Sequence, residues 1–193
     1  MLSRIRLETP RLVLREIGLD DAEAIQAYAA DPVVLRHVPW GPNTLEQTRQ
    51  FCAEHAQHPK TPNRSIYELA INIKPDSVAV GALGLRVQSI ENREAALGYV
   101  LHPAHWGKGI VTEAARRMLE FGLDELGMHR IYATAAPENV ASLKVLARLG
   151  MLVEGTLRQN MRIKQGYRDS VLHAVLSHEW RSAKDAHGST RPE

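Results

Sequence analysis

The apolar residues of this chain change their spacing once, and that change limits the folds open to it. Between residues 67 and 101 the period is two. Tyr67, Leu69, Ile71 and Ile73 alternate with Glu68, Ala70 and Asn72. A β-like run over Val78–Ile90 follows, then a strand over Glu94–Leu101, so an antiparallel meander is expected. From Gly109 the period is helical. Val111, Ala114, Ala115, Met118, Gly122 and Leu126 form one stripe, and Gly127 stands where a C′ glycine belongs. Arg130–Ala135 reads as a strand, and Asn139 caps a helix over Val140–Leu149 that ends at Gly150. Leu152–Gln159 and Asp169–Ser177 read as closing strands. Upstream, Leu12–Arg15 reads as a short strand. A helix follows from Asp20 through Ala22, Ala24, Ile25 and Tyr28 to Pro32. A second helix covers Thr44–Glu54, with Thr44 and Gln47 in capping-box positions. The order is α+β, with a strand–helix–strand unit in the middle.

At 193 residues the chain is one domain's length. We expect a single domain over residues 1–181 and a disordered tail over 182–193, where apolar residues are nearly absent. His55–Arg64, with two prolines, reads as a loop. Lys and Arg number 24 against 22 Asp and Glu, a net charge of +2, which marks no nucleic-acid or anionic-membrane partner. The lone Cys52 excludes an internal disulfide and a cysteine-built zinc site, and mid-helix it reads as a small apolar residue. No apolar run reaches membrane-spanning length, and Met1–Glu8 has no signal-like core, so a cytoplasmic protein is expected.

The chemistry concentrates in Gly98–Ala115, GYVLHPAHWGKGIVTEAA. A strand runs into Pro103, then a turn with Gly107 and Gly109, then a helix start. Glycines there allow positive φ and close approach of a ligand to the backbone. The helix start presents unpaired N–H groups and the positive end of its dipole. Together with Lys108 these make a seat for a phosphate or pyrophosphate. A tight turn with no ligand uses the same glycines. The run is not a Walker A loop, which needs G-K-[ST], and it lacks the third glycine of a dinucleotide fingerprint.

WGKGIVTEA resembles the acetyl-CoA pyrophosphate loop of the GNAT N-acetyltransferases, and within them the RimJ/RimL type. ETPRLVLREIGLDDAEAI is similar to that type's opening strand and helix. ENVASLKVLARLGM resembles its N-x-x-S helix, and GTLRQNMRIKQGYRDSVLHAVL its closing strands. The likeness runs from about Leu7 to Trp180. It implies a mostly antiparallel mixed sheet of about seven strands flanked by about four helices, with two central strands splayed apart. Acetyl-CoA, the co-substrate, would lie in that wedge beside Tyr99, Val100 and Leu101. Trp106, Gly107, Lys108, Gly109, Ile110, Val111 and Thr112 would form the pyrophosphate loop. Val111 is bulkier than the small residue usual there. Asn139 and Ser142 match the family's contacts to the CoA arm.

The resemblance implies direct attack of a primary amine on the thioester in a ternary complex. A base and an acid then help. The family's usual tyrosine acid falls at Leu146, whereas the RimL type puts a serine at Ser142. Asn139 and Ser142 are equally a helix cap and a first-turn residue. The usual glutamate base falls at Ala96. Glu94 shares its strand face and is the first candidate; Glu68, facing inward on the neighbouring strand, is another. Trp40, in the stretch His37–Trp40 that matches an acceptor-side loop, and Tyr167, in the Tyr167–Asp169 turn, are candidate acceptor contacts. His102 and His105 flank the glycine turn without a third metal ligand, so no metal is expected. An α-amine has a pKa of about 7.7–8.0 and a lysine amine about 10.4, so a weak base suits the former. The expected acceptor is a protein N-terminal α-amine, as in ribosomal-protein acetylation. A small amine (a polyamine, an amino acid or an aminoglycoside) and a non-catalytic acyl-CoA-binding module are the competing readings. Dimers are common among relatives, so a homodimer is compatible.

Overall fold

A computed structural model describes residues 4–58, 64–164 and 166–188. Its strands are β1 (Arg6–Glu8), β2 (Leu12–Glu16), β3 (Ile66–Ile73), β4 (Ala79–Ser89), β5 (Glu94–Leu101), β6 (Arg130–Ala135), β7 (Leu152–Ile163) and β8 (Gly166–Leu176). Its helices are α1 (Ala22–Ala29), α2 (Leu45–His55), α3 (Ile110–Glu120), α4 (Val140–Arg148) and α5 (Ser177–Gly188). They build one mixed sheet of eight strands in the order β1-β2-β3-β4-β5-β6-β8-β7. Among the described residues only β5 and β6 pair in parallel.

Strand alternation sorts the side chains into two cores. Leu69, Ile71, Leu83, Leu85 and Leu97 pack with Ala114, Met118 and Leu119 of α3. Ala70 and Ala82 point the other way and pack with Ile25 and Tyr28 of α1 and Cys52 of α2. The sheet is therefore covered on both faces at its centre.

The parallel pair is short. Glu94, Ala95 and Ala96 face Arg130, Ile131 and Tyr132, and pairing stops there. Beyond it β5 stays with β4 as far as Leu101, while β6 follows β8 as far as Ala135. The two strands part into a wedge, as expected for splayed central strands.

Several elements differ from the sequence reading. The meander, the strand Arg130–Ala135 and the Thr44–Gln47 capping box are present. The strand β1 went unseen, because three residues with one buried leucine carry no period. The first helix is preceded by a 3-10 turn over Leu19–Asp21 and ends at Ala29, short of Pro32. The apolar stripe continues past α3 as a π turn over Phe121–Glu125, so Leu126 lies beyond the helix. Among the described residues there are eight strands and five α-helices, against about seven and about four. The expected tail is in part helix: α5 runs through Gly188, and residues 189–193 lie outside the described residues. Trp180 is buried, the Glu179 carboxylate accepts from the N–H of Leu176, and Lys184 pairs with Glu120 and Asp124. Those contacts replace the apolar stripe that the segment lacks. Of the expected His55–Arg64 loop, residues 59–63 are not described, and His55 closes α2.

Candidate active site

The wedge has an open backbone edge. The N–H of His102 donates to Val80 O on β4. Backbone groups alternate sides along a strand, so those of Tyr99 and Leu101 face the other way, toward the wedge. The Leu101 carbonyl is taken by the indole of Trp106 at 2.8 Å. Trp106 thereby braces the turn that carries the chain from β5 to the loop. The backbone groups of Tyr99 on that side have no strand partner among the described residues, since pairing with β6 ends at Ala96.

At the end of β5 the loop has the expected shape. Gly107 and Gly109 both have φ of 74°. Gly109 occupies the N-cap of α3, where no side chain caps the helix. The N–H groups of Ile110, Val111 and Thr112 therefore lack a capping acceptor, the condition for anion binding. The side chain of Val111 packs against the core beneath and does not crowd the loop. The Lys108 ammonium folds back onto Ala104 O at 2.7 Å.

A clamp braces this loop from the opposite end of the sequence. The Glu113 carboxylate accepts from the Thr9 hydroxyl at 2.5 Å, from Arg11 N at 3.1 Å and from Arg11 Nε at 2.6 Å. Arg11 Nη1 donates to Lys108 O at 3.1 Å. Burial alone would raise the Glu113 carboxyl, but its bonds to Thr9 and Arg11 outweigh that and hold it below the ordinary range. Beside the clamp lies a cavity of about 480 Å³, lined by Thr9, Gly109, Thr112, Arg116, Arg117 and Arg148 among others. Its lining balances Arg116, Arg117 and Arg148 against Glu8, Glu113 and Glu120, and Arg117 is paired with Glu120 and Glu125. Local spacing carried no sign of this assembly, since Arg11 and Glu113 are far apart in sequence.

The far wall is α4. Asn139 is its N-cap, and its Oδ1 accepts from Ser142 N at 3.1 Å. The Ser142 carbonyl accepts from the Tyr99 hydroxyl at 3.3 Å, which ties α4 to β5. Burial pushes the Tyr99 hydroxyl up to about 12, so it remains a proton-bearing group at neutral pH. Leu146, at the slot of the usual acid, is buried in the core.

The carboxylates divide sharply. Glu94 sits at the closed end of the parallel pair, where Arg130 binds both it and Glu154. It is five residues from Tyr99, about 16 Å along an extended strand. The structure does not bring Glu94 to the wedge. Glu68 lies on the face covered by α1 and α2, in register with Gly84 and then Gly98. It is half-buried, and its carboxylate has no hydrogen bond or ion pair among the described residues. Burial pushes it up to about 7, with Arg86 pulling weakly back.

The acceptor-side candidates are less gathered. Trp40 is partly exposed and Tyr167 largely so. Arg168, next to Tyr167, makes the link: its Nη2 donates to His37 O at 3.2 Å and its Nη1 to Ser170 Oγ at 2.8 Å. His102 accepts from Ala104 N through Nδ1. No group of three metal-capable side chains occurs among the described residues.

A splayed sheet with an uncapped glycine loop at a helix start beside the wedge defines a protein with a seat for a phosphate-bearing ligand. Residues 11–152 match the acetyltransferase (GNAT) domain family, and the chain belongs to it. Its fold superimposes on a GNAT acetyltransferase from Bacillus anthracis with a TM-score of 0.80 at 27% identity, covering 91% of this chain and 100% of that one. It is 31% identical to the uncharacterized N-acetyltransferase p20 of Bacillus licheniformis, over 90% of this chain and 97% of the relative. It is 32% identical to the putative ribosomal N-acetyltransferase YdaF of Bacillus subtilis (strain 168), over 56% of this chain and 60% of the relative. The protein is an acetyl-CoA-dependent N-acetyltransferase. No helix among the described residues is long and apolar enough to cross a membrane.

Proposed function

We propose that this enzyme is of the RimJ/RimL type and acetylates the α-amine of a protein N-terminus, in the cytoplasm. One observation carries the reading. The acceptor face of β3, β4 and β5 includes Glu68, Ala70, Asn72, Ala82, Gly84, Arg86, Glu94, Ala96, Gly98 and Val100; Glu94 is tied to Arg130 at the far end, so Glu68 is the one carboxylate among these described residues without an ion-pair partner. A polyamine or an aminoglycoside carries several positive charges and needs several anionic partners. A peptide N-terminus carries one. The similarity to YdaF, whose name denotes a ribosomal acceptor, supports the same direction.

The chemistry of an α-amine agrees. Its pKa is about 7.7–8.0, so neutralising it at pH 7 costs roughly 1 kcal/mol, against roughly 4.6 for a lysine. In this reading Tyr99, Val100 and Leu101 hold the pantetheine arm, and residues 106–112 hold the pyrophosphate. Asn139 and Ser142 meet the CoA arm, and the Ser142 hydroxyl gives a proton to the departing thiolate. Trp40 and Tyr167 flank the incoming peptide.

The test is release of free CoA across an amine panel: peptides with N-terminal Ala or Ser, polyamines, aminoglycosides and free amino acids. Turnover on the peptides that drops in Ser142→Ala is expected. Turnover on a polyamine with silence on the peptides would overturn the acceptor assignment.

A further inference from the structure

We propose that Glu68 is the general base of the transfer, acting across β4 through a notch made by Gly84. The inference rests on the N-acetyltransferase reading above and supplies the group missing at Ala96. Its first support is register. Glu68, Gly84 and Gly98 lie side by side on β3, β4 and β5. A Cβ at Gly84 would collide with Glu68 Oε2, so the carboxylate lies over that glycine. Adjacent strands are about 4.8 Å apart. The carboxylate is therefore about one strand from Gly98, on the strand that edges the wedge. A Cβ added at Gly98 would meet nothing within 4 Å, so this lane is open space. Two consecutive glycines clear a path from the carboxylate to the place where the thioester would lie.

The second support is what surrounds the carboxylate. From β4, Arg86 faces it diagonally without pairing to it. From α1 comes the Tyr28 hydroxyl, buried without a hydrogen-bond partner and sensing the charge of Glu68. From α2 comes the buried thiol of Cys52, next to Tyr28. Asp21, the next acid on that side, is tied to Arg15 at 2.7 Å. An unpaired carboxylate with only an unbonded hydroxyl, a thiol and a diagonal guanidinium around it, still reached by solvent, is out of place as a structural residue. Its raised protonation midpoint, near 7, matches what a base needs at neutral pH.

In the step, the Glu68 carboxylate takes a proton from the acceptor ammonium, directly or through one water. The freed nitrogen lone pair forms the C–N bond to the thioester carbon. The C–S bond breaks, and the thiolate leaves with its electron pair. The Ser142 hydroxyl gives its proton to the thiolate and takes the second nitrogen proton in its place, leaving amide and thiol. Glu68 then releases its proton to solvent.

Glu68→Gln and Glu68→Asp are compared with wild type on an N-terminal Ala peptide, with acetyl-CoA affinity measured separately by calorimetry. In Glu68→Gln, kcat/KM should fall by about 10²–10⁴-fold, the range for a general base, while acetyl-CoA affinity stays put. The acid limb of the wild-type pH profile, near 7, should vanish, and Glu68→Asp should restore part of the rate. A Glu68→Gln enzyme within tenfold of wild type with its limb intact would overturn the proposal. Silence of wild type on every amine would count against the acceptor reading alone. The base is then judged by carbon NMR titration of the Glu68 carboxyl in the acetyl-CoA complex. A midpoint near 7 upholds it, and one near the ordinary 4.5 overturns it.

Discussion

Replacing Arg11 by alanine should loosen the pyrophosphate loop without touching the reacting groups. In the native protein Arg11 bonds Glu113 through Nε at 2.6 Å and the Lys108 carbonyl through Nη1 at 3.1 Å. Hydrogen bonds to charged groups contribute about 1.5–3 kcal/mol when sheltered. Here the arginine side chain is 50% exposed and Glu113 20%, so screening reduces the figure to about 1 kcal/mol. Glu113 keeps its bonds to the Thr9 hydroxyl and to the backbone N–H of residue 11, so the hairpin itself survives. What is lost is the order of the loop carbonyl. Acetyl-CoA binding must then restore that order, which raises Kd about fivefold. Calorimetry would read the change, with kcat unaltered and Tm lower by about 2–4 °C for 1 kcal/mol. An unchanged Kd with lowered Tm would refute the reasoning, because Arg11 would then brace only the fold. The sign with pH follows from Glu113, whose carboxyl is held low. The clamp is intact above the ordinary 4.5 and is lost as pH falls through the lower folded value.

Three further outcomes are expected. Between 4.5 and about 7 folded Glu68 binds more proton than unfolded Glu68, so wild-type stability falls as pH rises through that window. Glu68→Gln should therefore be the more stable protein at pH 8, by about 1–3 kcal/mol once solvent screening is allowed for, in denaturant melts, with no gain below pH 4. Asn139→Ala removes the acceptor for Ser142 N and should cost about 1 kcal/mol, whereas Asn139→Asp, which keeps the acceptor, should melt close to wild type. Cys52 is fully buried and its thiol is pushed up to about 11, so native protein at pH 8 should resist a thiol reagent that labels the unfolded chain at once.

Local signals in this chain were reliable because they concern neighbours within a turn or a pleat. Thr44 with Gln47 and Asn139 with Ser142 are caps whose partners lie three residues away, and both form as read. The alternation over residues 67–101 sets which side chains share a face, and the glycines at 107 and 109 take the left-handed backbone that the loop needs. The chain's resemblance to its family likewise rested on short runs.

The tertiary structure decided which charged groups are available. Glu94 and Glu68 are both glutamates on central strands, and nothing in their immediate neighbours ranks them. Folding puts Arg130 against Glu94 and leaves Glu68 without a partner over a glycine. It also brings Arg11 to Glu113 and adds a helix that composition argued against. Periodicity and caps reveal which elements form, because they depend on residues a few positions apart. The reactivity of a buried group depends on strand register and on charges distant in sequence, and those exist only once the sheet has assembled.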